Sequence, residues 1–219
     1  PSLPQGEFLI CPGPVMASED NFALEIIGKG GHAAMPEKSV DPIVLGSQLV
    51  MAFQSIVSRN VKASDKAVVS ITGFNTEGAL NVIPERVSLT GDVRSFDPKV
   101  QNLVKDRVRV LTEGLCQSYG ATYSLNYKHN FIPTVNTEKE AALAVKAAQA
   151  MKSKPKVIKE PPYFMASEDF AYFLSEKPGC YLLLGNGGEP LHNPHYDFND
   201  KNLTLGADFW ISLTETALA

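Results

Sequence analysis

The chain has 219 residues, of which 44% are hydrophobic and 20% are charged, and its formal net charge at pH 7 is -4. This length and apolar content suit one large folded domain or two smaller ones. The acidic balance and the absence of a dense Lys/Arg run argue against nucleic acid as a partner. No apolar stretch approaches the roughly 20 residues that span a bilayer, so no membrane partner is predicted.

Three cysteines, Cys11, Cys116 and Cys180, lie far apart and without CxxC spacing. An odd number of widely spaced cysteines indicates reduced thiols rather than a disulfide framework, which favours a cytoplasmic protein. We interpret Cys116 and Cys180 as buried, inert thiols.

Residues 20 to 130 carry the patterns of a strand, a helix, two strands, a helix and a strand. The first strand begins at Asn21 in "NFALEIIGKG", and Asp41 caps the helix that follows. The stretches "KAVVSITGFNT" and "RVSLTGDVRSFD" predict an antiparallel pair, Asp97 caps the second helix, and "ATYSLNYKHN" alternates as a final strand. This order predicts a ferredoxin-like βαββαβ domain, in which both helices cover one face of a four-stranded antiparallel sheet.

Residues 131 to 219 have a different, α/β character. The predicted elements are a helix in "EKEAALAVKAAQAMK", a strand in "PKVIKE", a helix from Ser167, an apolar strand "GCYLLLG" and a final helix in "LGADFWISLTETALA". A strand apolar on both faces is typical of a covered sheet. Two strands and three helices are too few to form one, so an incomplete α/β portion is predicted. Residues 1 to 19 form a preceding tail and linker.

The first candidate site residue is His32, in "GKGGHAAMPEKSVDP". Gly30 and Gly31 before it permit backbone turns closed to other residues, and an imidazole there can donate a hydrogen bond into a site. From spacing alone, a solvent-exposed loop histidine is the favoured alternative.

The second candidate is "EPLHNPHYDFND", in which His192 and His195 precede Asp197 and Asp200. Histidine with carboxylate is a usual zinc ligand set, although a surface loop rich in turn formers explains the spacing equally well.

Two further motifs stand on predicted element ends. In "MASEDF", Ser167 suits a helix cap with Glu168 in the first turn, a mainly structural pattern. Asn81 in "NVIP" and Arg94 in "GDVRSF" lie on the predicted strand pair. An arginine there can bind a carboxylate through two hydrogen bonds or serve as a surface ion-pair partner.

Five motifs in chain order resemble one group of enzymes: "GPVMASEDNFALEIIGKGGHAAMPEKSVDPI", "NVIPERVSLTGDVRSF", "PTVN", "MASEDFAYFL" and "LHNPHYDFND". The group is the hippurate hydrolase and auxin-amino-acid hydrolase type of metal-dependent amidohydrolase, within the aminoacylase and carboxypeptidase metallopeptidase superfamily. The resemblance covers essentially the whole chain. It implies cleavage of N-acyl amino acids by a zinc-peptidase-like catalytic domain with two divalent metals, zinc or manganese. It also implies that residues 20 to 130 are a lid that forms a homodimer.

The resemblance also implies roles for individual residues. His32 matches the histidine that reaches into the active site of the dimer partner and stabilises the oxyanion. Asn81 and Arg94 match residues that hold the substrate carboxylate or help to form the oxyanion site. His192 matches the last metal ligand, Glu168 lies near the metal site, and other metal ligands and the general base lie upstream of the lid in this group.

Those upstream residues have no counterpart in this chain, whose first residue, Pro1, matches a position just after them. We therefore expect the chain alone to bind metal poorly and to hydrolyse nothing. Two alternatives remain open at this point. The chain is a non-catalytic dimerisation module from a truncated gene or a fragment, or it belongs to a related peptidase or deacetylase.

Overall fold

The computed structural model contains both strands and helices and describes residues 1, 3–160 and 164–219. The strands are β1 (Phe8–Leu9), β2 (Gly13–Met16), β3 (Glu19–Ile27), β4 (Gly31–His32), β5 (Ala67–Thr76), β6 (Val82–Ile83), β7 (Arg86–Ser95), β8 (Thr122–Phe131), β9 (Thr134–Asn136), β10 (Val157–Ile158) and β11 (Leu183–Leu184). The helices are α1 (Pro42–Ser55), α2 (Pro98–Tyr119), α3 (Glu138–Ala150), α4 (Phe170–Glu176) and α5 (Lys201–Leu218). Across these described ranges, no helix is both long and apolar enough to cross a membrane.

The chain divides into two compact units. The inserted unit comprises Ala17–Pro133 and Met165–Ser167. The flanking unit comprises Pro1–Met16, Thr134–Phe164 and Glu168–Ala219. The short segment Met165–Ser167 therefore belongs to the inserted unit, although the residues on both sides of it in sequence belong to the flanking unit.

An antiparallel sheet with the strand order β5-β7-β3-β8 forms the inserted unit. Its strands alternate as predicted, and one face carries the apolar core of the unit together with α1 and α2. The core side chains of β3, β7, α1 and α2 include Phe22, Leu24, Ile26, Val87, Leu89, Val93, Leu45, Leu49, Phe53, Val100, Val104 and Val108. The other face carries polar side chains such as Asn21, Thr90 and Lys128.

Both helices of the inserted unit begin at the predicted aspartates. The Asp41 carboxylate accepts a hydrogen bond from the backbone N–H of Ile43 at 2.8 Å, and Asp97 accepts one from Lys99 at 2.7 Å. α2 ends at Gly120, whose φ of +69° is the left-handed conformation that glycine adopts without strain. These local signals are confirmed.

A buried carboxylate lies at the start of β3. Asp20 has no exposed surface and accepts hydrogen bonds from Gln101 Nε2 at 2.6 Å, from Tyr127 Oη at 2.9 Å and from His129 Nδ1 at 2.9 Å. Burial, together with the charge and hydrogen bond of Asp20, raises the pKa of Tyr127, so the phenol keeps the proton that it donates. Three donors around one buried carboxylate satisfy a charge that would otherwise be costly to bury.

The flanking unit contains a sheet in the order β10-β1-β11, with β1 parallel to β10 and antiparallel to β11. β2 pairs separately with β9. α3 and α5 pack together, where Ser212 Oγ donates to the carbonyl of Ala147 at 2.7 Å, and the rings of Phe8 and Phe209 lie 5.3 Å apart.

Several sequence predictions for the flanking unit are wrong in extent. The helix predicted from Ser167 begins at Phe170, because the Ser167 hydroxyl bonds to Glu19 instead of capping the helix. Only Leu183–Leu184 of "GCYLLLG" pairs as a strand. β1 was not predicted, since two residues carry no periodicity, and α5 begins one turn earlier than predicted.

Candidate functional site

His32 lies in a short strand within a loop that is closed at its base. Residue Lys29 pairs with Val40 through backbone hydrogen bonds of 2.9 and 3.0 Å. β4 pairs with β6, so that His32 lies opposite Val82. The imidazole itself is exposed, so the hydrogen-bonded backbone of the loop holds this side chain at the surface.

The hydrogen bonding of His32 determines which ring nitrogen can donate. The backbone N–H of Ala34 donates to His32 Nδ1 at 3.1 Å. A neutral imidazole whose Nδ1 accepts carries its proton on Nε2. The exposed Nε2–H is thus a hydrogen-bond donor available to an incoming oxygen atom.

The glycines of this loop allow close backbone packing. A Cβ at Gly28 would lie 2.1 Å from the carbonyl oxygen of Val40, and one at Gly30 would lie 3.0 Å from that of Ile83. Neither these two nor Gly31 has a positive φ. The expectation that Gly30 and Gly31 supply turns closed to other residues is therefore wrong, and the loop needs glycine because neighbouring backbone approaches it.

Gly28→Ala is expected to destabilise the chain by about 1–3 kcal/mol, because the added methyl must displace the backbone carbonyl of Val40. Gly114→Ala in α2 is the matched control, since its Cβ meets open space and alanine favours a helix by about 1 kcal/mol. Urea unfolding measures both variants. Equal stability of the two would contradict the close-packing argument.

Asn81 lies beside the His32 loop. The backbone N–H of Ala33 donates to the Asn81 carbonyl at 3.0 Å, and Asn81 directly precedes β6, the partner of β4. Its side chain is exposed. The structure thus brings together His32 and Asn81, which are 49 positions apart by their numbers in the sequence.

Arg94 lies in the four-stranded sheet, far along β7 from the end that the His32 loop meets. The His32 loop meets β7 at its first residues, where Gly28 N–H donates to the Glu85 carbonyl at 2.9 Å. Arg94 follows Arg86 by eight residues along β7, or about 26 Å at 3.3 Å per residue. Within one chain, Arg94 therefore does not share a pocket with His32.

Four side chains, which we call the Arg94 cluster, surround the guanidinium: Glu19, Asp92, Arg94 and Ser167. Arg94 donates from Nε and Nη2 to the two Asp92 oxygens at 3.0 and 3.1 Å, and its Nη1 lies 3.1 Å from a Glu19 oxygen. Burial alone would lower the pKa of Arg94, but Asp92 and then Glu19 raise it overall. The predicted carboxylate binder thus already holds two carboxylates of its own chain.

Glu168 is partly buried and well bonded. Its carboxylate accepts hydrogen bonds from Tyr181 Oη at 2.9 Å and from the backbone N–H of Asp169 at 3.1 Å. Burial, and then the hydrogen bond and charge of Glu168, raise the pKa of Tyr181, so its hydroxyl remains a donor at neutral pH.

Tyr181 is held in turn by Asn136, the last residue of the "PTVN" motif. The buried Asn136 amide donates to the Tyr181 carbonyl at 2.8 Å and to the Cys11 carbonyl at 2.9 Å, and its oxygen accepts from Tyr181 N–H at 2.6 Å. Sequence reasoning missed both residues as candidates. An asparagine that ends a short apolar motif was the only available signal for this bridging role.

His192 lies on an exposed loop with a φ of +62°, an uncommon conformation for a residue other than glycine. Asn186 closes this loop: its amide donates to the Asp197 carbonyl at 2.8 Å and accepts from Asn199 N–H at 2.8 Å. His195 is also exposed.

The described residues do not form a metal centre by themselves. Among residues 1, 3–160 and 164–219, no group of three or more His, Cys, Asp or Glu side chains is arranged to hold a metal ion. Catalytic zinc usually takes three protein ligands. His192 alone therefore does not fit a complete site.

Neither Cys116 nor Cys180 is a reactive thiol. Cys116 is buried, and burial raises its pKa to about 11. Cys180 is only partly buried, contrary to the expectation, yet burial still raises its pKa to about 12. Both remain protonated at neutral pH, where a thiol is a poor nucleophile.

The chain belongs to peptidase family M20/M25/M40, whose model matches residues 1–216. The mixed α/β fold has solved neighbours in the same family. The chain aligns with the Bacillus subtilis protein YXEP, a dinuclear metal binding peptidase of family M20, with a TM-score of 0.80 and 28% identity, covering 97% of this chain and 53% of that one. A crystal structure from methicillin resistant Staphylococcus aureus aligns with a TM-score of 0.89 and 29% identity, covering 99% of this chain and 56% of that one.

Curated relatives of the chain include named amide hydrolases. The hippurate hydrolase of Campylobacter jejuni is 35% identical over 94% of this chain and 54% of the relative. An N-acetylcysteine deacetylase of Bacillus subtilis is 34% identical over 100% of this chain and 57% of the relative. The chain spans about half the length of the curated relatives that it matches.

Proposed function

We propose that this chain is the lid and C-terminal part of a metal-dependent amidohydrolase that cleaves the amide bond of N-acyl amino acids, with hippurate as the type substrate. Membership of the M20 family supports the hydrolase class. The hippurate hydrolase and deacetylase relatives support an N-acyl amino acid as substrate. The cytoplasmic location stays a prediction.

The observation that carries the proposal is the oriented donor at His32. Its Nε2–H is exposed while Nδ1 is held by Ala34. A fixed donor aimed at a scissile carbonyl stabilises the negative charge that develops on the oxygen during attack, and the loss of one such donor typically costs about 10² to 10³ in kcat. In this role His32 donates throughout the reaction and does not itself transfer a proton.

The distance along β7 supports a dimeric site. His32 and Asn81 lie near the end of the ferredoxin-like lid sheet where β7 begins, and Arg94 lies about 26 Å further along β7 than Arg86. A site that uses all three residues on one small substrate requires two chains. We therefore propose a homodimer formed through the lid, in which His32 and Asn81 of one chain serve the site that contains Arg94 of the other.

His192 is proposed as one ligand of a metal pair, zinc or manganese, with Glu168 close to it. The metals would polarise the amide and activate water. Because the described residues offer too few ligands, we assign the others to the part of the whole protein that corresponds to the unmatched half of its relatives. Without that part the chain is expected to be inactive.

A chimera tests this function. The upstream part of the Bacillus subtilis N-acetylcysteine deacetylase is joined ahead of Pro1, and amino-acid release from hippurate and N-acetylcysteine is measured with zinc or manganese. We expect the chimera to hydrolyse at least one substrate and the chain alone to hydrolyse neither. His192→Ala in the chimera is the control and should abolish metal-dependent turnover.

A folded, metal-loaded chimera that hydrolyses no N-acyl amino acid would contradict the proposal. That outcome would favour the alternative of a non-catalytic dimerisation module. Turnover of N-acetylcysteine alone would keep the amidohydrolase class and replace hippurate as the substrate.

A further inference from the structure

The Arg94 cluster accounts for nearly all the hydrogen-bonding capacity of the guanidinium. Asp92 takes Nε and one Nη2 hydrogen, and Nη1 contacts Glu19 at 3.1 Å and Ser167 Oγ at 3.4 Å. A guanidinium has five N–H donors, so one Nη2 hydrogen remains outside these contacts. A substrate carboxylate that binds Arg94 through two hydrogen bonds would therefore first have to displace Asp92 or Glu19.

Asp92 is well placed to fix the orientation of Arg94. The two residues are separated by one position on β7, so their side chains lie on the same face of the sheet. Asp92 is itself held from the neighbouring strand by Asn21, whose amide donates to Oδ1 at 3.2 Å. The two-bond pair leaves the guanidinium plane little freedom to rotate.

The cluster is more enclosed than another ion pair on the same sheet face. The side chains of Arg94, Glu19 and Asp92 are 20%, 24% and 28% exposed, whereas those of the Arg86–Glu25 pair are 55% and 44% exposed. Exposed ion pairs contribute little to stability, and partial burial strengthens them. Arg86 and Glu25 therefore provide an internal comparison.

Ser167 connects the cluster to the segment Met165–Ser167. Its hydroxyl donates to Glu19 at 2.8 Å and accepts from Arg94 at 3.4 Å. This closes a ring of Arg94, Glu19 and Ser167 within the inserted unit. Ser167 is also the residue directly before Glu168 in the chain.

We propose that Asp92 and Glu19 are positioning residues that fix Ser167, Glu19 directly and Asp92 through Arg94, and so attach the segment Met165–Ser167 to the sheet. Ser167 directly precedes Glu168, so any effect of this attachment on catalysis rests on the proposed function. The attachment of Met165–Ser167 to the sheet does not rest on it, because the attachment involves neither substrate nor metal.

The test is a measurement of backbone and side-chain order by NMR on the full 219-residue chain, without metal or substrate. The first variant is Asp92→Asn, in which one of the two carboxylate oxygens that accept from Arg94 is replaced by an amide nitrogen. The second is Ser167→Ala, which removes only the hydroxyl that bonds the segment to Glu19 and Arg94. Glu25→Gln is the matched control, because it removes a carboxylate of an exposed pair on the same face. Urea unfolding of each variant separates local from global effects.

In the wild-type chain, we expect the Arg94 Nε–H to exchange with solvent at least about tenfold more slowly than that of Arg86, as a bonded and enclosed donor does. Met165–Ser167 should have order parameters near 0.85, the value of rigid backbone. In Ser167→Ala the order of this segment should fall below about 0.6 while Arg94 stays protected. In Asp92→Asn, both the order of the segment and the exchange rate of the Arg94 Nε–H should change, whereas in Glu25→Gln neither should. The urea midpoint should be unchanged in all three variants.

Equal exchange of Arg94 and Arg86 in the wild-type chain would overturn the proposal, as would unchanged order of Met165–Ser167 in both cluster variants. If Asp92→Asn fails to fold, Ser167→Ala alone decides the link to the segment. A failed chimera would leave this result untouched, so the two proposals can fail separately.

Discussion

His32→Ala is expected to lower kcat for an N-acyl amino acid by about 10² to 10³ in the active chimera, while KM changes far less. The Nε2–H of His32 would interact with the carbonyl oxygen most strongly when negative charge has developed on it. The exposed side chain makes no contribution to the core, so the folded state should persist. Steady-state kinetics and circular dichroism measure the two effects.

Lys38→Ala is the control, because Lys38 is exposed on the same loop. It should leave kcat within about twofold, as surface substitutions away from special features usually do. Unchanged turnover in His32→Ala would remove the histidine from the mechanism and leave only its hydrogen bond with Ala34 in the loop.

If the proposed dimer forms, His32 of one chain should complement a partner chain that lacks another site residue. A mixture of His32→Ala and His192→Ala chimeras should recover activity. In a dimer with one chain of each kind, the site that contains His192 receives His32 from the other chain and is intact, and half of the dimers are of this mixed kind. Equal mixing and random exchange predict about a quarter of wild-type activity. No recovery in a mixture shown to exchange subunits would mean that His32 acts within its own chain.

Asp20→Ala is expected to destabilise the chain by about 3–5 kcal/mol. The substitution leaves the amide of Gln101, the hydroxyl of Tyr127 and the ring of His129 without the acceptor that they share. The buried Gln101 amide then keeps only its longer hydrogen bond, to the Phe131 carbonyl at 3.2 Å, and a cavity remains at a site with no exposed surface. Urea unfolding at neutral pH measures the change.

Asp106→Ala provides the comparison, because it removes an exposed carboxylate from α2 and places a good helix former there. Its stability should stay within about 0.5 kcal/mol of the original chain. If Asp20→Ala lost no more than Asp106→Ala, the network around Asp20 would not be a determinant of stability.

Local chemistry explains which parts of the fold were predictable. Asp41 and Asp97 each precede a proline and an apolar helical repeat, and both cap helices as expected. The alternation of apolar and polar residues predicted the long strands of the inserted unit, because one face of each strand is buried. The existence of β1 and the short extent of β11 depend on tertiary pairing, which no local pattern records.

Ser167 marks where sequence reasoning failed in the candidate site. A serine before acidic residues is a good local signal for a helix cap, yet its hydroxyl bonds to Glu19, 148 positions away. The partners of Arg94 and the donor nitrogen of His32 likewise follow from contacts made only after folding. Residue types identified the candidates, whereas their hydrogen bonds determine what each can do.

The membership of Met165–Ser167 in the inserted unit has a consequence for protein engineering. Cutting the chain before Ala17 and after Pro133 would give a segment that lacks Ser167, and so lacks the hydroxyl that bonds to both Glu19 and Arg94. Transplanting the domain into another host enzyme therefore requires three residues from a distant part of the gene. A graft that omits them would carry an intact core but a loosened end to its sheet.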